Sequence, residues 1–383
     1  MPLPPLAVVP HRVCRFPWPA RWLAATLLGL VSLGAAVGLR PQGTRTNRAI
    51  APSMGALGPS DVAVVVNQAD PLSEAIGRHY QRRRGIPAAQ IIRIRFEPGV
   101  DHLDPLRFQE LRRQIFRQTP AHVQIYAVAW ASPWRVGCQS ITSALSLGLD
   151  PAWCAKGCRL TRLSPYYARG DVLRPWDSLR IRPSMLLAAR SEDQARRLIG
   201  RGLAADGTAP PGTVYLLSTT DRARNTRAAG FGDVQRLIGP SLAVRLLQAD
   251  RLRGANDVIA LLTGSVRVEG IDSNRYRPGA VADHLTSFGG QLVAGAAQGG
   301  QMSALRWLEA GATGSYGTVV EPCNFPAKFP NPLVLLAHYR GGSTLIEAYW
   351  RSVAMPGQGV FIGEPLARPW PGGGSDANAR RDR

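Results

Sequence analysis

The chain alternates between short apolar runs and longer segments whose apolar residues recur at helical spacing. The run DVAVVVN at 61–67 is continuously apolar and β-branched, which is typical of a strand buried on both faces. The next segment, DPLSEAIGRHYQRRRG, has apolar residues at helical spacing and ends at Gly85, so it predicts a helix. Asp70 and Ser73 at the start of this helix are best interpreted as capping residues, because a phosphate-binding loop would need glycines there.

The same alternation continues to residue 365 and predicts an α/β fold. Helices are expected at 105–119, 191–206, up to about 239, at 301–312 and, as one long helix, at 332–353. Further strands are expected at 90–96, 122–130, 184–189, 212–219, 244–248, 257–265, 279–287, 316–322 and 359–365. Strands that alternate with helices favour a mostly parallel sheet with helices on both faces, layered like a flavodoxin. We therefore predict a single α/β domain over 61–367.

Residues 131–182 interrupt this rhythm. They are rich in proline and aromatic residues, contain three cysteines and show little periodicity. Segments of this kind are usually long surface loops. We predict an insertion at the edge of the sheet, braced by a disulfide.

The first 38 residues predict a targeting segment. Arginines precede the apolar run WLAATLLGLVSLGAAVGL, and the small residues at 36–38 suit a cleavage site. The run is short for a membrane span, so a cleaved signal peptide is favoured, with an uncleaved anchor as the alternative. A polar linker at 39–60 follows, and the composition of 368–383 predicts a disordered tail. Either form of the N-terminus implies an exported protein in the periplasm or cell envelope.

The net charge of +20 does not by itself indicate nucleic-acid binding. Only Lys156 and Lys328 are lysines among 46 basic residues, and the arginines are scattered over many segments. A basic cluster interleaved with aromatics, or a reader motif, is not present in the sequence. The charge agrees better with contact to anionic envelope polymers or envelope proteins, and no nucleic-acid partner is expected.

Export changes how the cysteines are interpreted. Cys14 belongs to the targeting segment, which leaves four cysteines that allow three pairings. The segment CAKGC at 154–158 has no second pair of Cys or His residues at the spacing of a zinc site. We expect no metal and no cofactor, and at least one disulfide within the set Cys138, Cys154 and Cys158; buried free thiols are the alternative.

The candidate site follows from a general property of open α/β sheets, in which ligands bind at the carboxyl ends of the strands. In the first part of the chain this rule indicates Asn67, Asp70, Trp130 and Arg135. In the second part it indicates Asp221, Arg224, Thr263, Gly264, Ser265, Glu321 and Cys323, together with 284–287. Asp221 and Arg224 are either a solvated turn or a clamp for an acidic ligand.

The segment GAVADHLTSFGGQLVAG at 279–295 concentrates the most chemistry. Its LTSFGG lacks the Gly-x-Ser-x-Gly of a serine hydrolase, and a strand would place His284 and Thr286 on one face and Ser287 on the other. His284 with Thr286, Ser287 or Cys323 is one catalytic hypothesis, with Gly289 and Gly290 allowing close approach of a ligand. The alternative is a polar strand end whose groups make structural hydrogen bonds.

Several motifs resemble a family of exported bacterial proteins from genomes that carry the exosortase protein-sorting system. The matching stretches span almost the whole mature chain: DVAVVVNQADPLSEAIGRHYQRRRGIP, RPSMLLAA, GAVADHLTSFGG, QMSALRWLEAGATGSYGTVVEPCNFPAKFP and GQGVFIGEPLARP. The resemblance implies export and an envelope context, and it assigns no activity and no catalytic residues.

A second resemblance concerns residues 257–366, whose order of elements is similar to the catalytic core of gingipain-like, caspase-fold cysteine peptidases. Those enzymes place Gly-His-Gly after one strand and the nucleophilic cysteine after the next. Here the corresponding places hold TGS at 263–265 and HLTS at 284–287, so the scaffold is kept and the dyad is absent from its usual positions. We expect a non-catalytic or degenerate peptidase-like binding or scaffold protein, with an active hydrolase as the alternative.

Overall fold

A ten-stranded sheet forms the centre of the protein. The computed structural model describes residues 57–155 and 158–370, and the statements below refer to that part of the chain. The strands of the large sheet are β1 Val62–Asn67, β2 Ile91–Ile94, β4 Ile125–Val128, β7 Ser184–Leu186, β8 Thr213–Ser218, β9 Ala243–Gln248, β10 Val258–Gly264, β11 Tyr276–Leu285, β14 Gly314–Thr318 and β15 Gly359–Gly363. Their order across the sheet is β2-β1-β4-β7-β15-β14-β11-β10-β8-β9.

Five very short strands form two small sheets outside the large one. They are β3 His102–Leu103, β5 Arg135–Val136, β6 Gln139–Ser140, β12 Ala296–Ala297 and β13 Gln301–Met302.

The helices cover both faces of the large sheet, as the sequence predicted. They are α1 Pro71–Arg84, α2 Pro105–Gln118, α3 Ile141–Leu147, α4 Pro175–Leu179, α5 Glu192–Ala205, α6 Phe231–Ile238, α7 Leu305–Ala310, α8 Pro332–Arg340 and α9 Leu345–Ser352. Helices α1, α6, α8 and α9 contribute to one hydrophobic core, and α2 and α3 to another. None of the described helices is long and apolar enough to cross a membrane.

The alternation of side chains along β1 explains why both faces are buried. Val62, Val64 and Val66 belong to the first core, while Ala63 and Val65 belong to the second. Successive residues of a strand point to opposite faces, so a strand between two helical layers must be apolar at every position. The continuous apolar run at 61–67 has this cause.

The sheet consists of two parallel halves that run in opposite directions. Strands β2, β1, β4, β7 and β15 are parallel to one another, and so are β14, β11, β10, β8 and β9. The two halves meet where β14 and β15 pair antiparallel. The strands of one half therefore have their carboxyl ends on the opposite side of the sheet from the strands of the other half. For the candidate site, 'edge' means the side of the sheet where the strands of one half end.

Local signals in the sequence set the ends of the helices. The Asp70 carboxylate accepts a hydrogen bond from Leu72 N at 2.9 Å, and Pro71 occupies the first turn of α1. Gly85 ends the helix with φ 67°, the left-handed conformation that favours glycine. The structure thus confirms the capping role predicted for Asp70.

Two sequence-based boundaries change in the structure. The long helix expected at 332–353 is divided into α8 and α9, because the glycine pair at 341–342 ends α8 and Thr344 begins α9. The packed part of the chain extends to Trp370, which is buried against Tyr339, instead of ending at 367. The predicted targeting segment, the linker up to residue 56 and the tail from residue 371 lie outside the described residues.

Two disulfides brace the insertion at 131–182. Cys138 pairs with Cys154 inside the insertion, and Cys158 pairs with Cys323 in the loop after β14. The first bridge lies within the set expected from the sequence, and the second joins the insertion to the other half of the sheet. Disulfides persist in oxidising compartments, so the two bridges indicate an extracytoplasmic location.

Candidate functional site

The two segments that carry TGS and HLTS are neighbours in the structure. β10 and β11 are parallel, with Thr263 beside His284 and Gly264 beside Leu285. Asp221, Arg224 and Glu321 follow β8 and β14 at the same edge of the sheet. Asn67 ends β1, and Asp70 and Trp130 follow β1 and β4, so these three lie at the opposite edge, because the two halves of the sheet run in opposite directions. Arg135 lies in β5 of the small three-stranded sheet.

His284 is a buried residue whose two ring nitrogens are both used in internal hydrogen bonds. Its Nδ1 accepts a hydrogen bond from the indole Nε1 of Trp307 at 3.0 Å, so Nε2 carries the proton and donates to the carbonyl of Met302 at 3.0 Å. Burial lowers the pKa of His284 from 6.5 to about 3. The imidazole therefore remains neutral at physiological pH, and the catalytic role considered for His284 does not fit this geometry.

Thr286 and Ser287 are tied into the strand end. The Thr286 hydroxyl donates to Oε1 of Gln301 at 2.7 Å and accepts from Nε of Arg224 at 3.1 Å. The Thr318 hydroxyl bonds the carbonyl oxygens of both Thr286 and Ser287. Both residues are buried, so this segment holds β11 and β14 together instead of presenting a nucleophile to a cleft.

Cys323 is not a free thiol, because its sulfur is bonded to Cys158. A cysteine nucleophile is a thiolate, and while this disulfide is intact the sulfur of Cys323 is not available as one. The backbone N–H of Cys323 donates to the Glu321 carboxylate at 2.7 Å. Cys323 and Asn324 both have left-handed φ values, 58° and 55°, which turn the chain sharply after β14.

The two glycines expected to admit a ligand serve chain packing instead. The N–H of Gly290 donates to the carbonyl of Thr318 at 2.8 Å, and a Cβ on Gly290 would collide with the backbone of Gly317. A Cβ on Gly289 would lie 3.5 Å from the ring of His284. A Cβ on Gly264 would collide with the carbonyl of Arg224. Gly264 and Gly290 are required because the loops after β8, β11 and β14 approach one another closely.

A buried ion pair is the feature of this edge that sequence reasoning missed. Arg227 lies 2.6 Å from a carboxylate oxygen of Asp283, and both side chains are almost fully buried. The guanidinium also donates to the carbonyl of Thr263 at 2.7 Å and to that of Pro330 at 3.2 Å. Burial raises the pKa of Asp283, and the nearby Arg227 opposes that rise. The sequence did contain a signal for this pair, since Asp283 lies inside an apolar strand. A buried carboxylate requires a cationic partner.

Asp221 and Arg224 form a partly exposed charged pair at this edge. Their side chains form an ion pair at 3.1 Å and are about a quarter exposed. Because Arg224 also bonds Thr286, the pair covers the end of β11. Ser265 is half-buried, and its hydroxyl donates to the carbonyl of Arg267 at 2.6 Å.

Lys328 is the only lysine among the described residues. Its amine is buried and has no hydrogen-bond partner in this part of the chain. Burial lowers its pKa to about 8, with the Glu321 carboxylate acting in the opposite direction. Its backbone carbonyl accepts a hydrogen bond from the Tyr316 hydroxyl at 2.6 Å, which fixes the loop after β14 to the sheet.

An open cavity of about 460 Å³ lies beside the strand-end cluster. Met302 connects the two, since it lines the cavity and its carbonyl accepts the bond from His284. The charged residues that line the cavity are Arg253, Arg267, Glu269, Asp272 and Arg306.

The charges of this cavity leave one cation without an acidic partner. Arg306 pairs with Asp272 at 2.9 Å, and Arg253 pairs with Glu269 at 3.5 Å. None of the described residues forms an ion pair with Arg267. A carboxylate or another anion entering the cavity would therefore meet a guanidinium that is not already neutralised.

The described residues contain no group of three or more His, Cys, Asp or Glu side chains that could hold a metal ion. What this edge offers chemically is a set of polar groups, several of them held in internal hydrogen bonds and ion pairs, beside an arginine-lined cavity. Comparison of the chain with protein-family models, with curated proteins and with solved structures gives no match.

Proposed function

We propose that this protein is an exported, non-catalytic binding protein of the cell envelope, built on an α/β scaffold that resembles the caspase fold. The observation that carries the proposal is the state of His284, whose two ring nitrogens are satisfied by Trp307 and Met302. A general base must bind a proton near the working pH. With a pKa of about 3, His284 does not meet that requirement.

The candidate nucleophiles named above are held in other contacts in the described part of the chain. The sulfur of Cys323 is held in a disulfide, and the Thr286 hydroxyl donates its proton to Gln301. Ser287 is buried at the strand end. These contacts support the non-catalytic proposal over the alternative of an active hydrolase.

The cavity lined by Arg253, Arg267 and Arg306 supplies the binding function in this proposal. Guanidinium groups bind carboxylates and phosphates well because their planar N–H groups match the oxygen pairs of those ligands. An acidic group of an envelope polymer or an envelope protein fits this cavity, and the net charge of +20 would attract such a partner.

The envelope context rests on three observations that agree. The N-terminal sequence has the organisation of a targeting segment, and the motifs resemble the family from exosortase-carrying genomes. The two disulfides fit an oxidising compartment.

The absence of catalysis is tested by covalent probes. The full chain, purified with both disulfides intact, would be treated with a fluorophosphonate probe for serine nucleophiles and an iodoacetamide probe for thiols. We expect no labelling by the fluorophosphonate probe, and no iodoacetamide labelling at Cys138, Cys154, Cys158 or Cys323. Labelling that maps to Ser287 and disappears in Ser287→Ala would overturn the proposal.

Binding is tested by titration calorimetry with poly-L-glutamate. The double variant Arg253→Gln and Arg267→Gln should weaken binding about tenfold, and raising the salt concentration should weaken binding to the native protein. The double variant Arg196→Gln and Arg197→Gln is the matched control, because it removes the same number of charges from exposed arginines on α5, outside the cavity. An equal effect of the control variant would show that only overall charge matters and would contradict the cavity as the site.

A further inference from the structure

The two outermost strands of the large sheet, β2 and β9, differ in how their backbone N–H and C=O groups are protected. At the β2 edge, the Gln118 side chain accepts from the N–H of Arg93 at 3.2 Å and donates to its carbonyl at 3.0 Å. Arg107 donates to the carbonyl of Arg95 at 2.9 Å. Side chains thus occupy the groups that another strand would use.

At the other edge, β9 has no such cover among the described residues. The N–H of Ala249 donates to Ser218 of β8. Because these groups alternate in direction along a strand, the N–H and C=O groups of Val244, Leu246 and Gln248 point away from the sheet. The strand AVRLLQ contains no proline, which would otherwise block pairing at such an edge.

Apolar side chains accompany these open backbone groups. Leu246 on β9 is 39% exposed and Leu237 on α6 is 49% exposed. Val244, which shares a face of β9 with Leu246, packs in the core that α6 helps to form. The exposed leucines therefore lie on the same side of the sheet, next to its open edge.

The charge of this region favours a second copy of the chain over an acidic partner. Residues 231–250 contain two acids and two arginines, Asp233, Arg236, Arg245 and Asp250, so they are neutral in a chain of net charge +20. Two strongly basic molecules approach each other with least repulsion at a neutral surface. An acidic partner would be drawn to the basic surfaces instead.

We propose that β9 pairs antiparallel with β9 of a second copy of this chain and joins the two sheets around a two-fold axis. Centred on Leu246, this pairing places Leu246 opposite its own copy and Val244 opposite Gln248, so that outward-facing groups meet. Arg245 then faces Leu247 instead of another arginine, which avoids a like-charge pair. The two α6 helices lie on the same face of the joined sheet, where Leu237 extends the apolar contact.

Sedimentation velocity of the full chain at increasing concentration tests this pairing. We expect a dimer that dissociates on dilution, and Leu246→Lys should raise its dissociation constant about tenfold or more, since it places two lysines opposite each other. Leu106→Lys is the control: Leu106 is 76% exposed on α2, and its replacement should leave the dimer unchanged.

Two further measurements keep the test decisive. If Leu246→Lys fails to fold by circular dichroism, Leu237→Lys on α6 tests the same contact. Hydrogen exchange should show protection of the amides of Val244 and Leu246 that is lost on dilution. A chain that is monomeric at every concentration, or a dimer that neither leucine variant weakens, would overturn the inference.

Discussion

At the scale of the residue, burial decides the chemistry of this protein more than side-chain type does. His284 has the functional groups of a base, yet its ring is enclosed and both nitrogens are paired with Trp307 and Met302. Asp283, its neighbour, points to the other side of β11 and is neutralised by Arg227. A buried charge costs free energy unless it is paired, and so the two neighbours are stabilised by different means.

A substitution at His284 should therefore act on stability. We expect His284→Ala to lower the free energy of unfolding by about 2–4 kcal/mol, because the Trp307 indole loses its acceptor and a cavity opens. Urea denaturation of His284→Phe, Trp307→Phe and the double variant should reveal a coupling energy of about 0.5–3 kcal/mol. If His284→Ala keeps the native melting temperature and loses poly-L-glutamate binding, His284 is a binding residue after all.

At the scale of the element, the loop after β14 is where the two halves of the molecule are tied together. The bridge from Cys158 to Cys323 spans 165 residues of sequence, whereas that from Cys138 to Cys154 spans 16. A disulfide restrains the unfolded chain, and the effect grows slowly with the length of the closed loop. The longer bridge should therefore contribute more to stability.

Paired Cys→Ser variants test this difference. On the chain-entropy argument, removal of the 158–323 bridge should cost about 5 kcal/mol and removal of the 138–154 bridge about 3 kcal/mol. Hydrogen exchange should show that loss of the 138–154 bridge loosens the insertion at 131–182 more than the large sheet. Equal losses of stability, or exchange that rises first in β1 and β4, would contradict the assignment.

At the scale of the whole molecule, buried neutral histidines make stability depend on pH. Burial lowers the pKa of His284 to about 3 and that of His338 to about 4, from 6.5. Both groups bind protons more readily in the unfolded chain. Their contribution is thus complete above pH 6.5 and is lost as the pH falls from there towards the folded values.

We expect the free energy of unfolding to fall between pH 6.5 and pH 4 by up to about 1.4 kcal/mol per pH unit for each histidine. The raised pKa of Asp283 acts in the opposite direction. The native protein should therefore be compared with His338→Gln, in which the Asp283 contribution cancels. Urea denaturation across this range should give a smaller slope for the variant; identical slopes would show that His338 is protonated in the folded state.

The hydrophobic pattern of the sequence was sufficient for the fold class and for most elements. The continuous run at 61–67 predicted a strand buried on both faces, and Asp70 and Gly85 marked the ends of α1, because burial and capping act over a few neighbouring residues. The division of the expected long helix at Gly341 was missed, since glycines inside a periodic segment do not show whether a helix bends or ends.

The sequence by itself determined the layers of this protein and the set of polar residues at the strand ends. Only the tertiary structure decided that β14 and β15 pair antiparallel, which places Asn67, Asp70 and Trp130 on the opposite side of the sheet from the other candidate residues. It also decided that the Trp307 indole donates a hydrogen bond to His284 and that Cys158 forms a disulfide with Cys323. The physical reason is that strand direction, burial and partner choice depend on contacts between residues far apart in the chain, and one sequence does not reveal which distant groups meet.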